Sequence, residues 1–272
     1  SRTVSRIREF FGVKPRSFDH LFFSFGSESD VIRVKSSRRS FSMRDIGLQV
    51  KETYNKIGVY FSRSRTFVWP EVRTYLELLK KGDKVLDLGC GNGRLLTGIK
   101  TKVEYLGVDF SDTLIDEARK LWPKRRFTLM DLTNETDWKA LGKYEAIFCI
   151  AVLHHIPDLR KQVIILKQLR KHLKTGGFVY LSVWNLWQPK YWRWHLKSLF
   201  FKSLNWRYLF VPFQKKHQRF CFSFDEKYLR KVMRKAGFRK IRLGYADKKG
   251  AKSNWLRGCN LYGYARKQPA RN

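Results

Sequence analysis

The chain has 272 residues, 43% of them hydrophobic, and it carries 57 Lys and Arg against 23 Asp and Glu, a formal net charge of +34. Length and apolar content suffice for one large folded domain with appendages. The charge sets the chain apart from enzymes of small neutral metabolites and implies a polyanionic partner, nucleic acid or an anionic membrane surface.

Residues 1–43 show no sustained hydrophobic period and read as a basic N-terminal extension, with a Phe-rich patch at Phe18, Phe22, Phe23 and Phe25 suited to docking. Their Arg and Ser content resembles a transit peptide, but Glu9, Asp19, Glu28 and Asp30 oppose that reading. Residues 44–272 read as one domain with an insert at about 186–222. Ile46, Val50, Tyr54, Ile57 and Phe61 recur at three- and four-residue spacings, which predicts a helix from Asp45 to Ser62. Pro70 suits the first turn of a second helix reaching about Lys80. Strands and helices then alternate. Strand Lys84–Leu88 leads through a glycine loop into a helix. Strand Glu104–Asp109 leads into a helix capped by Ser111. Strand Arg126–Met130, strand Tyr144–Ile150, helix Asp158–Leu173 and strand Phe178–Val183 follow. After the insert, Phe224-Asp225-Glu226 opens a helix ending near Gly237, with strands at Phe238–Tyr245 and Gly258–Arg266. This alternation predicts an α/β fold with a doubly wound, mostly parallel sheet. No apolar run reaches the ~20 residues of a membrane-spanning helix. Cys90, Cys149, Cys221 and Cys259 lack the paired spacing of a zinc site or disulfide framework. The sequence therefore predicts no metal and a reducing, cytoplasmic location.

Val85-Leu86-Asp87-Leu88-Gly89-Cys90-Gly91-Asn92-Gly93 leaves the first strand in the setting of a nucleotide-binding loop. Gly89 and Gly91 permit a tight turn and close ligand approach. The third glycine comes one residue early for the dinucleotide pattern. Asp87, two residues before the first glycine, suits a ligand with an ammonium group and no pyrophosphate. Asp109, at the end of the second strand, can accept both ribose hydroxyls of an adenosine. Asp131, after the third strand, can meet the adenine amino group. The three carboxylates form one constellation at the carboxyl edge of the sheet.

From Lys84 to Val183 this order resembles the class I S-adenosylmethionine-dependent methyltransferases. The resemblance implies a Rossmann-like, seven-stranded sheet whose last strand is antiparallel. It implies S-adenosylmethionine as cofactor, with Asp87, Gly89 and Gly91 at the methionine end, Asp109 at the ribose, and Asp131 with Leu132 at the adenine. Tyr54, Cys90, Asn92, Gly93, Phe110 and Ala151 complete the expected set. A narrower resemblance rests on Tyr54-Asn55-Lys56-Ile57, Phe61-Ser62-Arg63-Ser64-Arg65, Trp69-Pro70, the glycine loop, Ile150-Ala151-Val152-Leu153-His154-His155 and Val183-Trp184. With a looser echo at Arg219-Phe220 and Ser253-Asn254-Trp255, these blocks resemble the tRNA carboxymethyluridine methyltransferases. That family esterifies the carboxymethyl carboxylate of a wobble uridine and works with a small zinc-containing activator protein. In that frame Arg65 is the candidate for binding a carboxylate, the substrate's or the methionine moiety's; its alternative is a solvated arginine in a polar turn. His154 and His155 are candidates to orient the substrate or carry a proton, with a structural role equally open. The family's C-terminal blocks are only partly present, and no block of the resemblance besides the Arg219-Phe220 echo falls in the insert or in residues 1–43.

Residues 184–272 carry 23 Lys and Arg but 3 acidic residues, and 11 of the 30 residues from Trp184 to Phe213 are aromatic. Trp187, Tyr191, Trp192, Trp194, Trp206 and Tyr208 interleave with Lys190, Arg193, Lys197, Lys202 and Arg207. Aromatics stack on unpaired bases while cations track phosphates. The insert, expected to be helical, also offers an apolar face of Leu196, Leu199, Phe200, Phe201 and Leu204, which suits a lipid interface or a lid packed on the core. Lys215, Lys216, Arg219 and the run from Arg230 to Arg242 extend the positive surface and favour RNA. The competing functions are methylation of a lipid or quinone at a membrane surface, and non-catalytic RNA binding.

Overall fold

The computed structural model describes residues 43–63, 67–200, 205–213 and 217–269. Every described residue belongs to one compact unit. The elements run α1 (Met43–Arg63), α2 (Pro70–Leu76), β1 (Lys84–Leu88), β2 (Glu104–Asp109), α3 (Asp112–Leu121), β3 (Arg126–Leu129), β4 (Tyr144–Ile150), α4 (Leu159–His172) and β5 (Leu173–Trp184). They continue through α5 (Trp192–Phe200), β6 (Tyr208–Phe213), β7 (His217–Phe222), α6 (Glu226–Lys235), β8 (Arg242–Ala246), β9 (Lys252–Ser253) and β10 (Asn260–Arg266). Ser111, Asp158 and Asp225 cap α3, α4 and α6 by accepting backbone N–H bonds, each cap worth about 1 kcal/mol.

The main sheet has the order β3-β2-β1-β4-β5-β10-β8-β9. β1 to β5 run parallel, and β10 lies antiparallel between β5 and β8. Strand order reverses between β1 and β4, so the crevice outside their carboxyl ends is the topological switch point where such sheets bind ligands. Seven strands agree with the expected sheet. The eighth, β9, is a two-residue pairing with β8, too short for a sequence period to mark it.

Alternate residues of each strand enter opposite faces. Leu86, Leu88, Ile147, Cys149, Leu181 and Val183 pack with apolar residues of α1, α4 and α6. Val85, Ala146, Phe148, Phe178 and Tyr180 pack with Val72 and Leu76 of α2 and with Ile115 and Ala118 of α3. Among the described residues no helix is long and apolar enough to cross a membrane.

Two expectations are corrected. The segment after the glycine loop is a single 3-10 turn, Arg94–Gly98, rather than a helix. A Cβ on Gly98 would stand 2.6 Å from Leu76 Cδ1 and 2.7 Å from Val68 Cγ1, so the segment lies flat against α2 and passes into β2 without a second turn. The insert is not purely helical either, because β6 and β7 pair as an antiparallel hairpin after α5. Leu209, Val211 and Cys221 of the hairpin pack with Leu186, Trp184, Tyr191 and Trp194. Tyr208, Phe220 and Phe222 point into the main core. Over Tyr208–Val211 and Phe220–Phe222 both faces of the ribbon are apolar, so these stretches show no alternation.

Candidate active site

A cavity of about 460 Å³ opens at the switch point, the size of a small-ligand site. The loop at its floor turns through positive φ at Gly89 (65°), Gly91 (55°) and Gly93 (74°). A Cβ on Gly89 would lie 2.2 Å from Val152 Cγ2, so only glycine fits there. Ala151, after β4, lines the cavity and holds a φ of 58°, a conformation that costs energy in a non-glycine residue and clusters at functional sites. The Asn92 amide donates to the Ser62 carbonyl and hydroxyl at 3.1 and 3.2 Å, which ties the loop to the end of α1.

Tyr54, Gly89, Cys90, Gly91, Asn92, Asp109, Phe110, Asp131, Leu132, Ala151 and His155 of the expected set all line this cavity. Asp109 is buried; its two oxygens accept the Gly91 and Ser111 N–H groups at 2.9 and 3.0 Å. Burial raises its carboxyl above the usual range, and those bonds oppose the rise. Asp131 is exposed at the rim, where Oδ1 accepts the Thr133 N–H and hydroxyl, both at 2.8 Å. Gly93 instead backs onto Phe127 and Trp122. Asp87 faces a separate hollow of about 20 Å³. It accepts the Tyr105 hydroxyl at 2.8 Å, and burial pushes its carboxyl up to about 7.

The opposite wall holds Tyr54 and His155. Because a carbonyl only accepts, the 2.8 Å contact between His155 Nδ1 and the Phe220 oxygen fixes the proton on Nδ1. Nε2 therefore accepts the Tyr54 hydroxyl at 2.9 Å. Burial, despite the Phe220 bond, pushes His155 down to about 4, and it lifts the Tyr54 phenol to about 12 against the Arg219 charge. Both groups are neutral at pH 7. His154 does not line the cavity: it is fully buried, stacked on Trp184 at 5.0 Å, and neither ring nitrogen meets a hydrogen-bond partner among the described residues. Arg65 lies outside the described residues.

Sequence pattern does not mark Trp69, Arg94, Ile156 or Lys161 as cavity residues, yet all four line it. Arg94 has one local signal, its place directly after the glycine loop. Arg219 is corrected from a surface cation to a buried one: it is 5% exposed, lies 4.5 Å over the Trp184 ring, and hydrogen-bonds Tyr54. Ligand atoms of His154, His155 and Cys221 stand within 4.8 Å of one another. The Arg219 charge beside them and the two engaged nitrogens of His155 oppose a cation there.

The family model for a methyltransferase domain matches residues 60–243. The chain belongs to that family. An Arabidopsis thaliana tRNA (carboxymethyluridine(34)-5-O)-methyltransferase is 33% identical over 181 residues, covering 63% of this chain and 43% of the relative. The Saccharomyces cerevisiae protein of the same name is 31% identical over 139 residues, covering 51% of this chain and 49% of the relative. The chain thus spans less than half the length of these curated relatives. In fold, it is similar to a SAM-dependent methyltransferase from Methanosarcina mazei (TM-score 0.58, 18% identity, 74% of this chain and 99% of the other). It is also similar to a chain solved in complex with the Haloferax volcanii Trm112 methyltransferase activator (TM-score 0.60, 14% identity, 82% and 99%).

Proposed function

We propose that this methyltransferase moves the methyl group of S-adenosylmethionine onto the carboxylate of a carboxymethyl group on the wobble uridine of a tRNA. The observation that carries the reading is the cavity at the switch point, with Asp109 and the glycine loop on one side and the neutral Tyr54–His155 pair on the other. The residues present fit the donor. Asp109 keeps acceptor capacity toward the cavity beyond its two N–H bonds, as a ribose diol requires. Asp131 and Leu132 stand at the same rim for an adenine. When bound, the sulfonium supplies an electrophilic methyl group.

The acceptor chemistry asks little of the wall. A carboxylate is already a nucleophile at neutral pH, so the site's work is alignment and exclusion of water. A neutral His155 and a protonated Tyr54 add no charge to repel the sulfonium. The positive charge of Arg219, behind Tyr54 and Trp184, favours an anionic acceptor.

The surface supports RNA as the partner. Trp184, Tyr191 and Trp194 belong to the insert's own packing, but Trp192 and Trp206 are 49% and 43% exposed. The exposed Arg193 and Lys190 lie 3.9 and 4.8 Å over the rings of Trp194 and Tyr191, whereas Arg207 is turned inward to pair with Asp225 at 2.6 Å. The exposed face of α6 presents Lys227, Lys231, Arg234 and Lys235. The relatives' names favour tRNA over a lipid surface. A small activator protein and a cytoplasmic location complete the reading.

The test uses radiolabelled S-adenosylmethionine and tRNA bearing carboxymethyluridine, followed by mild alkali. Label released as methanol supports an ester product. Labelling that resists alkali keeps an RNA methyltransferase and rejects this acceptor. Binding to anionic vesicles without any tRNA labelling favours the membrane alternative.

A further inference from the structure

The segment from Asp247 to Cys259 runs from β8 through β9 to β10 and sets an exposed aromatic side chain among exposed cations. Trp255 is 52% exposed and Leu256 beside it 38%, and the Trp255 ring joins none of the apolar clusters of the core. Lys248, Lys249, Lys252 and Arg257 are all exposed. Asp247, the acidic residue of the segment, is spent on its own turn, where Oδ1 accepts the Lys249 and Ala251 N–H groups at 2.8 and 3.0 Å. The backbone that carries Trp255 is held at several points. The buried Asn185 donates its side-chain amide to the carbonyls of Trp255 and Gly258 at 2.6 and 2.7 Å. Asn254 Oδ1 accepts the Leu256 and Arg257 N–H groups, both at 3.0 Å, and the Asn254 carbonyl accepts that of Gly258 at 2.8 Å. The indole is thus presented on a fixed turn, and little backbone freedom remains to be lost when something covers it.

Two anchors set this segment beside the cavity. Asn185 directly follows Trp184, and Asn260 opens β10 in register with Trp184, so residues 254–259 enter the sheet at its carboxyl edge. On the other side the turn at Gly250 rests on the start of α2, where a Cβ on Gly250 would stand 2.5 Å from Pro70 Cβ. Pro70 directly follows Trp69, and both Trp69 and Trp184 line the cavity. We propose that Trp255 is a stacking platform, at the cavity rim, for an unpaired base of single-stranded RNA, with Lys252 and Arg257 placed for the phosphates. The platform rests on the reading of RNA as the partner, but not on which atom accepts the methyl group. An indole flanked by cations suits this occupant because every base offers a π-face and its backbone a row of charges. In a duplex those faces are buried against one another, so the platform selects single strands. A lipid surface fits less well: the apolar area is two side chains on a held turn, not the face of an amphipathic helix.

Fluorescence anisotropy tests the platform with two labelled probes, a single-stranded RNA of about 12 nucleotides, within the span of such grooves, and the duplex it forms with its complement. Trp255→Ala should weaken the single strand by about five-fold or more, the loss expected for one base stacked on an aromatic ring. It should leave the duplex unchanged, and it should leave the salt dependence of single-strand binding unchanged, because stacking releases no counterions. Trp255→Phe, which keeps a smaller ring, should recover part of the loss. Lys252→Gln combined with Arg257→Gln should weaken the single strand and flatten its salt dependence. A melting temperature equal to that of the unmodified protein shows that each variant is folded. Unchanged single-strand affinity in Trp255→Ala overturns the platform, as does an equal loss on the duplex. So does a loss of binding to phosphatidylserine vesicles in Trp255→Ala with RNA affinity intact, which would turn the segment toward a membrane. If the unmodified protein binds neither RNA, the reading of RNA as partner fails and the platform with it, a result distinct from RNA binding that ignores Trp255.

Discussion

Asp109 and Asp87 end neighbouring strands, and their surroundings give one side chain two different uses. Asp109 is held by two N–H groups and turned to the cavity. Asp109→Ala should weaken S-adenosylmethionine binding by roughly 2–4 kcal/mol, since bonds to a charged acceptor are worth about 1.5–3 each and do not add fully. Titration calorimetry showing unchanged affinity would remove Asp109 from the donor site. Asp87 makes a prediction about pH. Its carboxyl is lifted to about 7 by burial, against the bond from Tyr105 and the charge of Arg94, while an unfolded Asp titrates near 3.9. The folded protein therefore binds this proton more tightly than the unfolded chain. Its contribution to stability is greatest below about pH 4 and declines as pH rises through about 7. His154, His155, His172 and His195 are shifted down, so their contributions change in the opposite sense as pH falls below about 6.5. Comparing Asp87→Asn with the unmodified protein isolates the aspartate. The variant should gain relative stability between pH 4 and pH 7 in chemical denaturation, and a constant difference across that interval would show that Asp87 keeps an ordinary pKa.

At the scale of elements, the parts that bind at the sheet edge were legible because each is local. Val85–Gly93 carries strand, turn and loop in nine consecutive residues, and Asp109 and Asp131 follow their strands directly. The wall formed by Tyr54, His155 and Arg219 was only half legible, because it is assembled from α1, the turn after β4 and β7, far apart in the chain. The β6–β7 hairpin carries no strand period because Tyr208–Val211 and Phe220–Phe222 are apolar on both faces, and without the hairpin Arg219 reads as one more surface cation. The structure makes it the inner end of a chain of contacts: Arg219 to Tyr54, Tyr54 to His155, and His155 to the carbonyl of Phe220 beside Arg219 itself. The hairpin thereby holds the cavity wall and its charge state. Burial depresses His155 most, the Phe220 carbonyl opposes that, and the Arg219 charge depresses it further. Arg219→Gln should therefore raise the His155 pKa above about 4. Nitrogen-15 NMR of the imidazole reads this directly, with an unchanged midpoint showing that the charge of Arg219 does not reach the ring.

Across the whole molecule, charge is divided by depth as well as by sequence, and this separates binding from chemistry. Arg219 is sealed in the cavity wall, whereas Lys231, Arg234 and Lys235 stand exposed on α6 around the buried Leu229, Val232 and Met233. A side chain 5% exposed cannot exchange counterions with a phosphate backbone. Exposed cations can, and each phosphate contact with a single strand adds about 0.7 to the slope of log affinity against log salt. Replacing Lys231, Arg234 and Lys235 together by Gln should lower tRNA affinity at low salt and flatten that slope by up to about 2. The same substitutions should leave calorimetric binding of S-adenosylhomocysteine intact, because none of the three lines the cavity. Arg219→Gln should do the reverse, leaving the salt slope alone while disturbing the wall around Tyr54 and His155. Filter binding of both variants across a salt series distinguishes these outcomes. An unchanged slope in the α6 variant would move the RNA track off this helix, to the aromatic face around Trp192, where replacing the exposed Lys190 and Arg193 is the corresponding measurement.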